Sequence, residues 1–308
     1  MDYEIRRLSK ENISDVARIH QSVYKRKLPQ ETLHRKYEPR YSGIGYCGYL
    51  AYFNSEPVAF YGLIPMESHC GTTTEISAQS ADAMTIAAHR GKGLFGLLGN
   101  KTCELAKELG ITFVWAFATD VSKGPVMGKV GYRCDEHLVG YRFFARKRWL
   151  DKLPFLRSAV ESRARNILRQ YATDKPFRGS LYHLADNPII TRNADYFRCK
   201  NPGGSFFIEL QEVLFWIKLH PHHGIMIGDM EADSETQIRA GMLAFKTLAN
   251  RHGLGTLIFQ TSPGTPIANI VTELADETFQ SWALCYRSLG SEFPLEKFKA
   301  TWGDLDTF

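Results

Sequence analysis

The feature that most constrains the fold of this chain is a strand that runs into a glycine-rich loop and then into a helix. Residues 72–86 are rich in threonine, alanine and isoleucine, which favours an extended strand. Gly91 and Gly93 follow, and the apolar period then changes from 2 to 3.6, with one predicted helix face formed by Leu94, Leu98, Leu105 and Leu109. Gly110 is placed to end this helix. Because the first amides of a helix have no partner inside it and carry the positive end of the helix dipole, the loop predicts a phosphate-binding site.

The residues of the loop suit a pyrophosphate. Glycines at 91, 93 and 96 let phosphate oxygens approach the backbone without a Cβ in the way, and Arg90 and Lys92 add positive charge. No GxxxxGK[ST] motif occurs, which excludes the ATPase phosphate loop. The glycines also follow predicted antiparallel hairpins rather than the first strand of a parallel unit, so a dinucleotide-binding fold fits poorly.

The predicted elements form one pattern and an incomplete second copy of it. Residues 1–145 read β-α-α-β-β-β-α-β-α-β, and residues 205–290 read β-β-α-β-α-β. In the second pattern Ser234 and Gln237 give a capping-box signal for a helix over residues 234–252, which would correspond to the helix after the glycine loop. The sequence therefore suggests a repeated half-fold.

The loop resembles the (R/Q)-x-x-G-x-(G/A) signature of the GNAT N-acetyltransferase superfamily, since Arg90-Gly91-Lys92-Gly93-Leu94 has the common R-G-x-G form. The stretch from Asp120 to Tyr132 resembles a second motif of that family, which ends in K-x-G-F. The resemblance implies an α/β (α+β) fold with a mixed, mostly antiparallel sheet flanked by helices. It also implies three parts, namely an acetyl-CoA-binding catalytic domain at 1–145, a helical linker at 146–204 and a degenerate GNAT-like half at 205–308.

The resemblance implies acetyl-CoA, or a related acyl-CoA, as co-substrate. By analogy, Arg90 and the loop amides would hold its pyrophosphate, the amides being those of Gly91, Lys92, Gly93, Leu94, Phe95 and Gly96. The edge of strand 82–86 would pair with the pantetheine arm, and a backbone N–H near Met84, Thr85 and Ile86 would polarise the thioester carbonyl. Asp120 would either bind an amide of the cofactor or cap the following helix, and capping is favoured.

The acid and base of the implied reaction are less well marked. Asp82 precedes the loop on its strand and is a candidate base for the acceptor amine, the alternative being a hydrogen-bonded strand carboxylate. The family's usual acid is a tyrosine, but Met127 occupies that position and cannot donate a proton. Ser122, Tyr132 and Tyr141 are the alternatives, and Tyr132 is retained as the candidate.

The second half is not expected to bind CoA. Its helix is entered through residues 230–235, where three acidic side chains replace the glycine pair. Carboxylates there would repel a pyrophosphate and compete for the helix N-terminus. This half is therefore expected to be a scaffold or to bind the acceptor.

The composition of the chain limits which cofactors, nucleic acids, membranes and metals it is expected to bind. A net charge of +5 over 308 residues suits an anionic cofactor, but the basic residues are too dispersed to predict nucleic-acid binding. No run of about 18 apolar residues and no signal-peptide pattern is seen, so no membrane span or export is expected. The 6 cysteines are scattered without a CxxC pair, which predicts reduced thiols and a cytoplasmic protein. His220, His222 and His223 lack helpful cysteine or carboxylate spacing, so no metal is expected.

These observations leave three functional hypotheses. The first is an N-acetyltransferase acting on a small amine, with an amino sugar as the favoured acceptor. The second is acetylation of a protein or peptide amine. The third is a non-catalytic acyl-CoA sensor or assembly module, which Met127 keeps open.

Overall fold

Each half of the chain contributes one strand to the compact unit formed mainly by the other half. The structure is a computed structural model that describes residues 2–39, 42–146, 157–200, 204–220 and 224–308. Its two compact units are Met1–Asp135 with Trp282–Phe298 (unit 1), and Glu136–Ser281 with Lys299–Phe308 (unit 2).

Unit 1 is a mixed sheet with helices on both faces. Its elements in chain order are β1 (Glu4–Arg7), α1 (Ile13–Tyr24), α2 (Gln30–Tyr37), β2 (Gly48–Phe53), β3 (Glu56–Cys70), β4 (Thr73–Thr85), α3 (Leu94–Glu108), β5 (Phe113–Ala118) and α4 (Asp120–Val130). The sheet order β1-β2-β3-β4-β5 is antiparallel except between β4 and β5. Next to β5 lies β12 (Glu277–Ser288), which pairs with it through residues 283–288. The predicted mixed, mostly antiparallel sheet is therefore confirmed.

The two faces of this sheet bury different helices because side chains alternate along a strand. Helix α1 buries Ile13, Val16 and Ile19 in a cluster with Phe60 of β3 and Tyr37 of α2. On the opposite face, the buried side of α3 packs in a second cluster on neighbouring strand residues, among them Tyr61, Ala59 and Ala78. Burying each large apolar side chain contributes about 1.5–3 kcal/mol, so both faces hold the sheet.

Unit 2 repeats the core of this arrangement. Its elements are β6 (Arg133–Phe143), α5 (Arg157–Leu168), β7 (Ile189–Ile190), α6 (Ala194–Lys200), β8 (Ser205–Leu210), β9 (Val213–His220), β10 (Gly224–Glu231), α7 (Glu235–His252), β11 (Leu257–Thr261) and α8 (Pro266–Leu274). The strand order β8-β9-β10-β11 is antiparallel except between β10 and β11, which matches β2-β3-β4-β5 of unit 1. As predicted, Ser234 caps α7 by accepting from the Gln237 amide.

The last strand of each half is exchanged. β6 follows α4 along the chain but pairs with β11 of unit 2 through residues 139–143, whereas β12 follows α8 but pairs with β5 of unit 1. The predicted division at residues 145 and 204 assigned each strand to its own half. Sequence periodicity identifies a strand but not the partner strand, so this exchange was not foreseeable from the pattern.

Several predicted boundaries move for local reasons. The apolar run after the glycine loop predicts a helix from Gly91, but α3 begins at Leu94, because Gly91 and Gly93 have left-handed φ values of +73° and +80° and belong to the loop. Residues 206–219 are rich in β-forming side chains and predict one strand, but they form two, since Gln211 and Glu212 make a tight turn with φ values of +51° and +62°. No glycine, asparagine or proline marks that turn, which is why the sequence gives no signal for it.

The expectation that all six cysteines are reduced is wrong for one pair. Cys134 and Cys285 form a disulfide within unit 1, although they are 151 residues apart in sequence. The exchange of strands brings them together: Cys134 is at the start of β6 and Cys285 is in β12. Four cysteines lie outside this disulfide, namely Cys47, Cys70, Cys103 and Cys199. Among the described residues no helix has the length and apolar character needed to cross a membrane.

Candidate active site

Strands β4 and β5 separate partway along their length, which leaves two unpaired edges inside the sheet of unit 1. They are paired only from Ser77 with Phe113 to Gln79 with Trp115. β4 nevertheless remains paired with β3 as far as Thr85, and β5 remains paired with β12 as far as Ala118. Beyond Gln79 the edge of β4 that faces β5 therefore presents backbone groups that can pair with an extended ligand.

The register of β4 determines which amides lie on that open edge. The Ile86 amide donates to the Val58 carbonyl at 3.0 Å, and Met84 pairs with Phe60 two residues earlier. Because hydrogen bonding alternates along an antiparallel pair, the amides of Met84 and Ile86 point towards β3, and those of Ala83 and Thr85 point away from it. Of the three residues predicted to supply this amide, Thr85 is on the open edge. Ala83 was missed, because the sequence does not show which neighbour a strand pairs with.

The segment between β4 and α3 is held by side-chain contacts of His89 and Arg90. His89 lies in a 3₁₀ turn, where its Nδ1 is hydrogen-bonded to the Tyr3 hydroxyl at 2.9 Å and its ring packs on Phe53. Arg90 donates from Nε to the Thr85 carbonyl at 3.1 Å. Neither terminal nitrogen of Arg90 has a partner in the described part of the chain. The glycine loop is therefore held in place, with part of one guanidinium available beside it.

The N-terminus of α3 is left uncapped. Gly93 is the N-cap residue and has no side chain to cap with, and the first turn holds no acidic residue. The first helical bond runs from the Leu97 amide to the Gly93 carbonyl at 3.1 Å. Within the described residues, the amides of residues 91–96 donate to no protein acceptor. A Cβ placed on Gly91 or Gly93 would meet nothing within 4 Å, so these amides border open space. This is the arrangement that an anion needs.

The other predicted loop residues have different surroundings. Leu94 is buried, and Phe95 packs edge-on against Tyr61. Gly96 is also buried, and a Cβ there would lie 3.2 Å from the Cβ of Lys129 on α4. Its missing side chain therefore allows α3 and α4 to approach closely, rather than clearing space for phosphate oxygens as predicted. Lys92 is exposed.

Asp120 does not cap α4. Thr119 is the N-cap, and its side chain accepts from the Ser122 amide while Ser122 Oγ accepts from the Thr119 amide at 2.9 Å. Asp120 is the first helical residue and is exposed. The prediction that it caps is therefore wrong, because the residue before it performs that role. Ser122 is occupied by this capping box, and Met127 is 42% exposed.

Asp82 lies at a bulge in β4, beside the open edge. Leu63 pairs with Ser80 and Tyr61 pairs with Ala83, so β4 has one residue more than β3 between these pairs. The Asp82 carboxylate accepts from the Tyr37 hydroxyl at 2.6 Å and from Lys36 Nζ at 3.0 Å, both on α2. It is thus a positioned carboxylate on the α2 face of the sheet.

Tyr132 is placed elsewhere. It is 3% exposed, and its hydroxyl is buried near those of Tyr61 and Ser80 in the cluster that covers α3. Burial, with the neighbouring Tyr61 hydroxyl and Cys103 thiol adding to it, raises the pKa of Tyr132 well above its usual value. Asp82 and Tyr132 are therefore not brought together. Tyr141, the third alternative acid, belongs to the core of unit 2, where Thr272 donates to its hydroxyl.

Comparisons with known proteins agree with this geometry. Residues 4–134 match the family described as the acetyltransferase (GNAT) domain. The chain is thus similar to this family over residues 4–134. Enzymes of this superfamily use acetyl-CoA as co-substrate, and the separated strands and the uncapped α3 lie within the matched range.

Solved structures share the fold at low sequence identity. A GCN5-related N-acetyltransferase from Kribbella flavida is 15% identical with a TM-score of 0.59, covering 94% of this chain and 72% of that one. One from Anabaena variabilis is 14% identical with a TM-score of 0.57, covering 94% and 73%. Eis1 from Mycobacterium abscessus is 12% identical with a TM-score of 0.55, covering 94% and 74%. A search of curated proteins gives no match to the sequence.

The described residues contain no group of three or more histidine, cysteine or acidic side chains that could hold a metal ion. His222 and His223 lie outside the described residues. His220 is the last residue of β9.

Proposed function

We propose that this GNAT protein transfers the acetyl group of acetyl-CoA to the amine of a small acceptor, with an amino sugar as the favoured acceptor. The observation that carries the proposal is the combination of an uncapped helix N-terminus with an open strand edge that leads away from it. The amides of residues 91–96 offer donors to a diphosphate, and those of Ala83 and Thr85 offer donors to an extended amide-bearing arm. Coenzyme A has both parts in that order.

Each loop residue has a proposed part in holding the cofactor. Gly91 and Gly93 leave room at the backbone, and Lys92 with the free end of Arg90 supplies positive charge. Asp120 is proposed to reach the cofactor's amide groups, since it is exposed at the start of α4 and is not used as a cap. Bound acetyl-CoA supplies an activated thioester, and the Thr85 amide is the nearest candidate donor to its carbonyl oxygen.

Asp82 is proposed to take the proton of the acceptor amine, directly or through water. Lys36 and Tyr37 hold this carboxylate beside the open edge, which fixes its orientation but also competes for its lone pairs. Tyr132 is proposed to supply a proton from the α3 face, because its phenol is protonated at neutral pH. Its raised pKa makes it a weaker acid than an exposed tyrosine. Under this scheme the acceptor amine would approach from the α2 face of the sheet, and the thiolate of CoA would leave on the α3 face.

A second candidate function is a non-catalytic acyl-CoA sensor. Met127 supports it, because the helix position where the family has a proton donor is exposed and carries a thioether. A protein or peptide amine remains the alternative acceptor. We propose a cytoplasmic location on the sequence alone.

The test compares Gly93→Glu with Gly110→Glu. The two glycines have φ values of +80° and +81°, and a Cβ on either meets nothing within 4 Å, so both variants carry the same backbone strain at opposite ends of α3. Calorimetry should show CoA binding weakened at least about tenfold in Gly93→Glu only, since a carboxylate there repels the diphosphate. Equal CoA affinity in both variants would overturn the proposed cofactor site.

Thiol release from acetyl-CoA in the presence of glucosamine, a simple alkylamine or a short peptide then separates the functions. Release with the small amines supports the acetyltransferase, and preference for glucosamine supports the amino sugar. Release with the peptide alone supports the alternative acceptor. CoA binding without release for any amine supports the sensor.

A further inference from the structure

Unit 2 contains a cavity of about 490 Å³ at the position that corresponds to the cofactor site of unit 1. It lies between the end of β10 and the N-termini of α7 and α8, just as the open site of unit 1 lies beside β4, α3 and α4. β10 also has one residue more than β9, Gly228, immediately after its pairing with β11 ends at Ile227. The second half has therefore kept the strand separation, and its volume is typical of a small-molecule site.

The helix ends that border this cavity offer a diphosphate fewer donors than the start of α3 does. Ser234 Oγ accepts from the Gln237 amide at 3.2 Å, and the Gln237 side chain accepts from the Asp233 amide at 3.0 Å. In α8, Thr265 caps the Ala268 amide, and Pro266 has no amide hydrogen. Four of the donors at these helix ends are therefore used or absent, whereas, among the described residues, the corresponding loop of unit 1 has none of its amides capped.

The charge of the cavity is reversed relative to the glycine loop. Four carboxylates line it against a single guanidinium, that of Arg239, and they belong to Glu231, Asp233, Glu235 and Glu273. Arg239 is shared, donating to Glu235 at 2.6 Å and to Glu273 at 2.7 Å. Asp233 is exposed, and its carboxylate has no partner among the described residues. Glu231 is ion-paired with Arg178, which does not line the cavity, so the excess of negative charge on the wall comes from the other three carboxylates.

The remainder of the cavity is mixed. Its apolar part includes Met230, Ile238, Ile267 and Ile270, and its polar part is formed by Ser180, His183, Ser234 and Asn269. One wall is the segment at Gly179 and Ser180, which is fixed by buried charge. Asp229 is 0% exposed and accepts from the Ser180 hydroxyl at 2.6 Å, and it is ion-paired with the buried Arg192. Glu231 accepts from the Gly179 amide at 2.9 Å. The cavity is thus built on a fixed frame and does not depend on a loose loop.

We propose that this cavity binds a small organic cation, an ammonium group carrying a short apolar body. The carboxylates would face the charge, and the methionine and isoleucine side chains would contact the apolar part. This site is separate from the proposed acetyl transfer and does not depend on it. It gives the degenerate half a binding role of its own, with the electrostatic preference opposite to that of the half that resembles it.

The test uses n-hexyltrimethylammonium, which has no N–H and cannot accept an acetyl group. Calorimetry on the full chain should show saturable binding of this cation, weaker at 500 mM than at 50 mM NaCl, and no binding of hexanoate at equal concentration. Asp233→Asn and Glu273→Gln should each weaken binding about two- to fivefold, as expected for exposed charge pairs. Asp174→Asn removes an exposed carboxylate of unit 2 outside the cavity and should leave the affinity unchanged.

A steric variant tests the location. Asn269 is an exposed residue of α8 that lines the cavity, so Asn269→Trp fills it without disturbing the core and should reduce binding at least about tenfold. Equal binding by Asn269→Trp with an unchanged melting temperature would overturn the proposal. Two other results would overturn it: equal binding of hexanoate, or complete loss of hexyltrimethylammonium binding when magnesium chloride replaces sodium chloride at the same ionic strength. If the cation does not bind, the proposed CoA site still stands, because the Gly93→Glu comparison tests it separately.

Discussion

Ser80 and Asp82 lie two residues apart on β4, yet their side chains are on opposite faces of the sheet in unit 1. Ser80 donates to the Tyr61 hydroxyl on the α3 face, and Asp82 accepts from Tyr37 on the α2 face. In a regular strand, residues i and i+2 share a face. The extra residue of the bulge reverses the alternation, and Asp82 shares its face with Met84, which packs in the α1–α2 cluster.

This reversal makes Asp82 the carboxylate to test as the base. Asp82→Asn should lower kcat about a hundredfold while CoA binding stays close to wild type, since proton transfer contributes about 10²–10⁴-fold. Steady-state kinetics with the best amine, together with CoA calorimetry, measures both quantities.

Asp15 offers a matched control for Asp82. It accepts from the Tyr52 hydroxyl at 2.7 Å and from Arg18 at 3.1 Å, and its side chain is 20% exposed against 16% for Asp82. Asp15→Asn removes an equivalent set of contacts away from the site and should keep kcat. Equal kcat values for the two variants would mean that Asp82 is a structural carboxylate.

The disulfide determines how many thiols of the unfolded protein react before and after reduction. Unfolded without reductant, the protein should expose four reactive thiols, and after reduction it should expose all six. Because the bond closes a loop of 151 residues, removing it with Cys134→Ser should destabilise unit 1 by about 2–5 kcal/mol. Six thiols before reduction would show that the pair is not oxidised, and Cys199→Ser serves as the control at a cysteine outside this disulfide.

Buried tyrosines predict a loss of stability at high pH. Burial raises the pKa of Tyr61 to about 12, whereas a tyrosine in the unfolded chain titrates near 10. Between these values the unfolded state has lost its proton and the folded state has kept it, so stability falls as pH rises through this window. One such tyrosine lowers the free energy of unfolding by about 1.4 kcal/mol for each pH unit in this window.

The measurement is the free energy of unfolding in urea at several pH values from 9 to 12. Tyr61→Phe should show a smaller fall than wild type between pH 10 and 12. Tyr24→Phe changes a side chain that is 53% exposed and should follow the wild-type curve. Parallel curves for all three proteins would contradict the assignment to Tyr61.

Much of the fold could be predicted because its signals are local. The helix that ends before Gly110 and the helix capped by Ser234 follow from apolar period and cap chemistry, and both lie close to their predicted ranges. The turn at Gln211 carries no sequence signal, and the pairings of β6 and β12 are set by contacts far apart in the chain. Periodicity indicates that a strand exists but not which strand it joins.

The same limit applies to the site. The glycine loop was recognisable because helix amides and left-handed glycines depend on neighbouring residues alone. The packing role of Gly96 depends on its contact with Lys129, and the exclusion of Asp120 as a cap depends on where α4 begins. The open-edge position of Ala83 depends on the register with β3. Cys134 and Cys285 give no spacing motif, because strand exchange creates their proximity.

The exchange of β6 and β12 has a consequence for biosynthesis. The strand that covers β5 is formed by residues 283–288, which follow all the strands of unit 2 along the chain. Unit 1 therefore emerges from the ribosome early for the most part, but it cannot complete its sheet until residues 283–288 have also been made. A fragment ending at residue 145 would present β5 as a bare edge prone to association, so the two halves are expected to fold as partners and not as separable pieces.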